Sequence, residues 1–440
     1  MNRRRFASRL ILPATLAGAA LLTLALLLAI ASRTHPTLAV LADRPASATG
    51  NPPRVTVMRT PDGGIQPQVA VDRRGVVHLV YFKGDPVAGD LDYVRRDAAH
   101  SRGSATWTRP VRVNSVPGSA IAIGSVRGAQ IAVGERGRVH VAWLGSAKAT
   151  PRGPKNATPM LYTRLDRAGT AFEPERNVMQ FATGLDGGGS VAADNAGNVY
   201  VVWHGNPAGN GERNRQVWIA RSHDDGRTFA RETAADGPGA EHTGACGCCG
   251  MRAFADHAGA LYILYRAATE DVHRDMVLLR SKDDGRDFTG ARVAPWTLNA
   301  CPMSTDAITS GPTGVLGAWE TAGQVYYSRV EPPDPVAQRS SLPQVSTPIS
   351  PPGGIAVAPS GEITSPTGDR KHPAIATNAQ GETILAWTEG TAWAKGGSVA
   401  WQVFDASGHP VGAEGHADGL PVWGLVAVFA NPRGRFTVVY

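Results

Sequence analysis

The chain has 440 residues, of which 42% are apolar, so it can bury a large core. Its 51 glycines and 32 prolines make up about a fifth of the sequence, against an average of about 12%, which favours many short strands joined by turns. The net charge of +7 falls to +3 without the four arginines of the first nine residues. No basic stripe remains, which argues against nucleic-acid binding.

The N-terminus is predicted to direct export. Four arginines precede an almost unbroken apolar stretch from Leu10 to Ala31. A cleavable signal has an apolar core of about 7–15 residues and a spanning helix needs about 20, so this length slightly favours an uncleaved anchor. Small-residue sites also allow cleavage after Ala42 or Ala48. We expect residues 1–42 to be a signal peptide or inner-membrane anchor and residues 43–440 to be extracytoplasmic, either periplasmic or secreted.

One unit recurs along the rest of the chain. It consists of a short apolar strand, an Asp/Asn-x-x-Gly turn and a second β-rich strand that ends in an aromatic residue. The clearest turns are Asp72 with Gly75, Asp194 with Gly197, and Asp256 with Gly259. The aromatic residues lie 53 to 68 residues apart, slightly more than the propeller repeat of about 40–50 residues. They are Tyr81, Trp143, Trp203, Tyr265, Trp319, Trp387 and Tyr440.

These repeats predict an all-β propeller. Each pair of strands is followed by a third and a fourth strand, and four-stranded repeats are typical of propeller blades. Seven inner hairpins predict seven blades, with the C-terminal hairpin at 425–440 closed by an N-terminal strand at 54–58. Because that last blade is short of strands, a six-bladed ring with an extra hairpin stays open as the alternative.

Two near-identical segments, 222–229 and 281–288, stand at the predicted turn between third and fourth strands. Both match Ser-x-Asp-x-Gly-x-x-aromatic, the Asp-box, and a decayed copy lies at 165–172. On these motifs the chain resembles the sialidase (neuraminidase) superfamily of Asp-box, or BNR-repeat, propellers. We expect the motif to be structural, since its aspartate accepts backbone N–H bonds and its glycine supplies positive φ. Its residues are Ser222, Asp224, Gly226, Phe229, Ser281, Asp283, Gly285 and Phe288.

The resemblance implies an exo-α-sialidase-like glycoside hydrolase that acts on, or binds, extracellular glycans. Such a mechanism uses three arginines that clamp a carboxylate, a tyrosine nucleophile assisted by a glutamate, and an aspartic acid as proton donor. Loops that enter innermost strands and loops that join second to third strands share one face of a propeller. The clamp candidates are on this face, and the nucleophile candidates are a Tyr-Tyr pair in a predicted third strand. They are Arg127, Arg252, Arg266 and Arg274 for the clamp, with Tyr326, Tyr327 and Glu320 for the nucleophile and its partner.

One motif of the resembled superfamily is absent. Its Phe-Arg-Ile-Pro sequence supplies the first clamp arginine ahead of the first blade, whereas residues 64–68 of this chain read Gly-Ile-Gln-Pro-Gln. Without that arginine the recognition of a sialic acid carboxylate loses a large share of its contacts.

All four cysteines fall in two loops that enter neighbouring innermost strands. These are Cys246, Cys248 and Cys249 in one loop and Cys301 in the next. Outside the cytosol they predict two disulfides, either with an adjacent Cys248–Cys249 bridge or as two links between the loops. The alternative is a copper or zinc site, or a redox site, completed by Met303 and His242.

Three functions therefore stay open for the sequence. The first is a propeller that binds or hydrolyses a glycan or another small extracellular ligand. The second is a propeller with a Cys/Met/His metal or redox site. The third is a non-catalytic binding or scaffold module, attached to the membrane if the N-terminal segment is uncleaved.

Overall fold

The computed structural model describes residues 54–97, 106–209, 211–312, 314–330 and 370–440. These residues form seven β-sheets arranged as the blades of a propeller. The innermost strands of successive blades contact one another around the axis, and the last contacts the first. The chain is therefore a seven-bladed propeller, as preferred from the sequence, and the six-bladed alternative is wrong.

The strands follow the blades in chain order. Blade one contains β2 (Ile65–Val71), β3 (Val76–Lys83), β4 (Asp90–Asp97) and β5 (Val111–Arg112). Blade two contains β6 (Gln130–Val133), β7 (Val139–Leu144), β8 (Met160–Arg164) and β9 (Arg176–Asn177). Blade three contains β10 (Ser190–Ala193), β11 (Val199–Gly205), β12 (Gln216–Ser222) and β13 (Thr233–Ala234). Blade four contains β14 (Met251–Ala255), β15 (Leu261–Arg266), β16 (Met276–Ser281) and β17 (Thr289–Ala294).

The remaining blades differ in how they are completed. Among the described residues, blade five has three strands, which are β18 (Asp306–Gly311), β19 (Gly314–Thr321) and β20 (Gln324–Arg329). Blade six contains β21 (Arg370–Thr377), β22 (Thr383–Glu389), β23 (Gly397–Phe404) and β24 (Pro410–Leu420). Blade seven pairs β25 (Ala427–Ala430) with β26 (Phe436–Val439), and β26 pairs in parallel with β1 (Val55–Met58). This pairing confirms the predicted closure of the ring.

The described helices are four short 3₁₀ segments. They are Pro61–Gly63, Glu135–Gly137, Pro154–Asn156 and Glu212–Asn214. Within the described part of the chain, no helix has the length and apolar character needed to cross a membrane. The predicted signal or anchor at Leu10 to Ala31 lies outside the described residues.

The repeated turn explains why the first and second strands of a blade pair with each other. In blade one, Asp72 Oδ1 accepts the N–H groups of Arg74 and Val76 at 2.9 and 2.8 Å. Gly75 follows with φ +78°, a conformation that side chains with a Cβ rarely adopt. The same pair of bonds recurs in four other blades, at Asp194, Asp256, Asn378 and Asn431. Asp405 makes the same bonds at the turn between the third and fourth strands of blade six.

The core lies between the blades. Alternate residues of a second strand face opposite neighbours, so these strands are apolar on both faces. Seven buried clusters result, one at each interface between adjacent blades. The predicted aromatic residues lie in them, and Trp143, Trp203 and Trp387 are fully buried. This packing fixes the blades, so the loops carry the variable chemistry.

Candidate functional site

The two faces of the propeller are chemically different. We call the loop face the side formed by loops that enter innermost strands and loops that join second to third strands. The turn face is the opposite side, and it carries the turns between first and second strands and between third and fourth strands. The Asp-box segments lie on the turn face, after β12 and β16.

Both Asp-boxes are hydrogen-bonded in the same way. Asp224 accepts the hydroxyl of Ser222 at 2.7 Å and the backbone N–H of Thr228 at 2.8 Å. Asp283 accepts the hydroxyl of Ser281 at 2.7 Å and the backbone N–H of Asp287 at 3.1 Å. The decayed copy keeps part of this pattern, because Asp166 accepts Thr170 at 2.9 Å.

The aromatic residues of the Asp-boxes pack as the motif predicts. Phe229 lies edge-on against Tyr162 of the preceding blade with ring centroids 4.8 Å apart, and Phe288 is buried. Gly226 and Gly285 have φ of +74° and +75°. The geometry is that of a structural turn.

The loops of blades four and five that carry the cysteines meet on the loop face. Cys248 and Cys301 form a disulfide with Cα atoms 6.4 Å apart, and Gly250 donates its N–H to the carbonyl of Ser304 at 3.0 Å. Of the predicted pairings, a link between loops is therefore present, and the adjacent Cys248–Cys249 bridge is wrong. Cys246 and Cys249 are buried free thiols.

The free thiols lie against each other and beside the disulfide. The sulfur of Cys246 is 2.9 Å from that of Cys249 and 3.5 Å from that of Cys248. The three Sγ atoms of this loop lie within 4.8 Å of one another, close enough to share a soft metal ion, although Cys248 is already bonded to Cys301. His242 is exposed and outside this group, whereas Met303 is half-buried in the bridged loop.

Three of the four clamp candidates are already engaged. Arg266 is buried and donates to the hydroxyl of Ser304 at 3.2 Å and to the carbonyl oxygens of Arg274 and Glu320. It also lies over the ring of Trp296. Its guanidinium thus joins blades four and five and has no free pair of N–H donors for a bidentate contact with a ligand.

The other two engaged arginines form ion pairs. Arg274 is buried and pairs with Glu212 at 2.8 Å, and Glu212 also accepts the N–H of Gly247 at 2.8 Å. Arg127 pairs with Asp186 at 2.8 Å and donates to the carbonyl of Ile123 at 2.9 Å. These side chains hold loop-face segments in place.

Arg252 is differently placed. It is the second residue of β14, at the loop-face end of an axial cavity of about 780 Å³ that it lines. Asp306, the first residue of the neighbouring innermost strand β18, acts on it electrostatically. Burial lowers the pKa of Arg252 to about 10, and Asp306 partly offsets this effect, so the guanidinium stays charged at neutral pH.

Asp306 is a buried acid with an unused acceptor. Burial raises the pKa of this carboxyl well above its usual range, against the opposing charges of Arg252 and Arg266. Its Oδ1 has no hydrogen-bond partner among the described residues. Asp306 was not among the candidates predicted from the sequence. It directly follows the loop from Cys301 to Thr305 and begins an innermost strand, and a polar residue at such a position could have indicated a functional side chain.

Glu320 is a second buried acid, at the loop-face end of β19. Its Oε1 accepts the N–H of Gly323 at 2.9 Å, and its Oε2 has no partner among the described residues. Burial raises the pKa of Glu320 despite the bond from Gly323 and the charge of Arg266.

Buried polar atoms without a described partner are numerous on the loop face. Leaving such an atom unpaired costs about 1–3 kcal/mol, so each calls for a water, an ion or a ligand. Those on the loop face are Gln66 Oε1, His204 Nδ1, Arg215 Nε, Arg274 Nε, Asp306 Oδ1 and Glu320 Oε2.

The candidate nucleophiles are core residues. Tyr327 is buried between blades five and six, against Phe404, with ring centroids 5.0 Å apart. Tyr326 is buried between blades four and five and stacks on Trp319 at 6.4 Å. Because both rings are enclosed by apolar neighbours, the structure does not bring either of them together with Arg252 and Asp306 on the loop face.

A tryptophan pair also marks the loop face. Trp393, in the loop between β22 and β23, is 59% exposed, and Trp423, in the loop before β25, is buried. Their rings pack edge to face with centroids 4.8 Å apart. Trp423 is held in turn by a hydrogen bond, because its backbone carbonyl oxygen accepts the side-chain amide N–H of Gln66 at 3.0 Å. The exposed ring is therefore rigidly supported.

The chain is similar to several solved structures at low sequence identity. No protein-family model matches the sequence, and no curated protein matches it. A protein of unknown function from Dyadobacter fermentans matches at 14% identity over 76% of this chain and 93% of that chain, with a TM-score of 0.47. A Hadza microbial sialidase matches at 14% identity over 81% and 74%, with a TM-score of 0.45.

A third match is Trypanosoma rangeli sialidase in complex with the inhibitor DANA. It has 9% identity over 76% of this chain and 53% of that chain, with a TM-score of 0.41. The matched structures include sialidases. At these identities the likeness is one of fold, and no residue role is carried over.

Proposed function

We propose that this chain is an extracytoplasmic sialidase-like propeller that binds a glycan, or an acidic sugar derived from one, on its loop face. The observation that carries the proposal is the buried carboxyl of Asp306 with its unused oxygen, which acts electrostatically on Arg252, a residue that lines the axial cavity at its loop-face end. A charged guanidinium beside a buried acid with an unused oxygen offers one anion contact and one hydrogen-bond donor.

The tryptophan pair supports a sugar ligand. Sugar rings present apolar C–H faces, and a rigid exposed indole such as Trp393 offers a matching surface with little loss of side-chain freedom. A glycan therefore contacts both kinds of group on the loop face, which are an exposed aromatic ring and buried polar atoms.

Hydrolysis is the further step of the same proposal. An acid whose pKa is raised by burial keeps its proton more readily and is suited to protonate a leaving-group oxygen, and Asp306 is such an acid. Glu320 is the second acid. The tyrosine route implied by the sialidase resemblance requires Tyr326 or Tyr327 to leave the core, so we place catalysis on the two acids and not on the tyrosines.

The test combines binding and turnover. Wild-type protein is screened on an array of neutral and acidic glycans and assayed with fluorogenic sialosides and arabinosides. We expect Arg252→Ala and Trp393→Ala to weaken binding at least tenfold, and Asp306→Asn to abolish any turnover while folding is retained. Exposed turn-face residues give matched controls, Arg286→Ala and Asp287→Asn.

The outcomes separate the hypotheses. Binding without turnover supports a lectin-like module, and turnover that survives in Asp306→Asn removes this residue as the acid. No binding to any glycan by a folded wild-type protein contradicts the proposal and favours the scaffold hypothesis.

A further inference from the structure

The four cysteines form one continuous group of sulfurs at the junction of blades four and five. Cys246 is central, since its sulfur is 2.9 Å from Cys249 on one side and 3.5 Å from Cys248 on the other. Cys248 is bonded to Cys301, which is exposed. A buried dithiol is thus connected through van der Waals contact to a disulfide that reaches the surface.

Charged and polar groups around the dithiol favour a thiolate. Burial by itself raises the pKa of Cys249, but the hydrogen bond from Cys246, the charge of Arg266 and bonds from Ser304 outweigh it and lower this pKa. The bond that Cys246 donates to Cys249, together with burial, raises the pKa of Cys246. The proton of the pair therefore lies preferentially on Cys246, and Cys249 is the sulfur that more readily carries negative charge.

Arg266 and Arg274 enclose this pair from blade four. Arg266 is held by Ser304 and two carbonyl groups, and Arg274 by Glu212, so neither is free to move away from the sulfurs. Besides joining these loops, the fixed positive charge beside buried sulfur stabilises a thiolate that forms and reacts in place.

We propose that Cys246, Cys249 and the Cys248–Cys301 disulfide form a thiol–disulfide exchange site that passes reducing equivalents from the buried dithiol to an external disulfide at Cys301. The assignment rests on the order of the sulfurs from buried to exposed and on the contact of Cys246 with both neighbours. It does not depend on glycan binding.

The internal transfer takes two steps. In the first step, Cys246 Sγ attacks Cys248 Sγ while its proton passes to the Cys249 thiolate. The Cys248–Cys301 bond breaks, and Cys301 leaves as a thiolate at the surface. In the second step, Cys249 loses that proton to water and attacks Cys246 Sγ, and Cys248 leaves as a thiolate that takes up a proton. One disulfide is broken and one is formed, so no electrons are gained or lost.

The external step uses a small-molecule or protein disulfide as oxidant. The Cys301 thiolate attacks it, which forms a mixed disulfide and releases one thiolate. Cys248 then attacks the Cys301 sulfur, restores the Cys248–Cys301 bond and releases the second thiolate. The net result is oxidation of the Cys246/Cys249 dithiol to a disulfide and reduction of one external disulfide to two thiols.

The experiment measures the reduced glutathione that the full chain releases from oxidised glutathione. The disulfides of the protein are then mapped by mass spectrometry after rapid alkylation. Wild-type protein is expected to release about two equivalents of glutathione per chain and to gain a Cys246–Cys249 bond. Cys249→Ser is expected to stop after about one equivalent, with glutathione trapped on Cys301. Cys246→Ser is expected to release none and to keep Cys248–Cys301 unchanged.

Several results would overturn the proposal. One is a wild-type protein that carries both disulfides and is unaffected by reduced or oxidised glutathione. A second is release by Cys246→Ser at the wild-type rate, which would mean direct reaction of Cys249. A third is stoichiometric copper or zinc in the purified protein, which would assign the sulfurs to a metal. Because the disulfide pairing of the wild-type protein is mapped directly, the proposal stays testable if a variant fails to fold. Glycan binding is measured in a separate experiment.

Discussion

Aspartate side chains lie in opposite environments in two regions of the molecule, the Asp-box turns and the loop face of blades three to five. On the turn face, burial alone would raise the pKa of Asp224, but bonds from Thr228 and Ser222 lower it to about 2. On the loop face, burial prevails at Asp306 and raises its pKa. A carboxylate whose bonds are all made within the fold is structural, whereas a buried acid with an unused oxygen is available for a ligand.

The largest effect is expected from a glycine of the Asp-box. A Cβ on Gly226 would lie 1.7 Å from the hydroxyl of Tyr162, and its φ is +74°. Backbone strain of about 1–2 kcal/mol and overpacking of about 1–3 kcal/mol both apply, so Gly226→Ala should lose about 2–5 kcal/mol of unfolding free energy in urea.

Gly259 provides the matched control for this substitution. It also has positive φ, +86°, but nothing lies within 4 Å of its Cβ position. Gly259→Ala should therefore lose only the strain, about 1–2 kcal/mol. Equal losses for the two variants would show that the contact between the Asp-box and the preceding blade has no energetic role.

Removal of an Asp-box carboxylate is expected to have the next largest effect. Asp224→Ala leaves the N–H of Thr228 and the hydroxyl of Ser222 without their acceptor and should cost about 1–2 kcal/mol at pH 7. Because the folded pKa is depressed, this stabilisation is present above the unfolded pKa of about 3.9 and is lost as pH falls toward 2.

The exposed Asp287 of the other Asp-box provides a control for that measurement, and Asp287→Ala should change stability by less than about 0.5 kcal/mol. If the difference between Asp224→Ala and wild type stays constant from pH 7 to pH 2, the carboxylate does not act through its charge.

Asp306→Asn should show the reverse pH dependence. The folded pKa of Asp306 is raised, so its proton stabilises the fold at low pH, and that contribution is lost as pH rises above the unfolded pKa. An asparagine does not ionise, so the stability of the variant relative to wild type should increase as pH rises above the unfolded pKa of about 3.9. Urea unfolding at several pH values measures this gain, and a loss that grows with pH would refute the assignment.

Glu320→Gln is expected to have the smallest effect. The amide oxygen can still accept the N–H of Gly323, so stability should change by less than about 1 kcal/mol. Glycan turnover should nevertheless fall if Glu320 takes part in proton transfer. Unchanged turnover would remove it from the proposed chemistry.

The fold could be predicted further than the site because the fold is repeated. The aromatic residues from Tyr81 to Tyr440 recur in all seven blades, and Asp/Asn-x-x-Gly turns join the first and second strands in five of them, so the same local pattern is repeated and places the strands correctly. The Asp-boxes could be assigned on the same grounds, since every bond of Asp224 is made within four residues.

The site depends on pairings that sequence spacing does not encode. Arg266 and Arg274 are on the predicted face, but their partners Ser304 and Glu212 come from loops far away in the sequence. Likewise, the choice of Cys301 as the partner of Cys248 depends on how blades four and five pack. Local patterns could place these side chains on a face but could not show which of them remain free.

The protonation state of Asp306 tests the central claim most directly. Infrared difference spectra of wild type against Asp306→Asn, recorded across pH, report the band of a protonated carboxyl group in a folded protein. We expect this band to persist to a higher pH than the ordinary ionisation of an aspartate allows, whereas the difference between wild type and Asp224→Ala should show an ionised carboxylate down to about pH 3. An Asp306 that is already ionised at pH 5 would contradict the assignment of the loop-face acid.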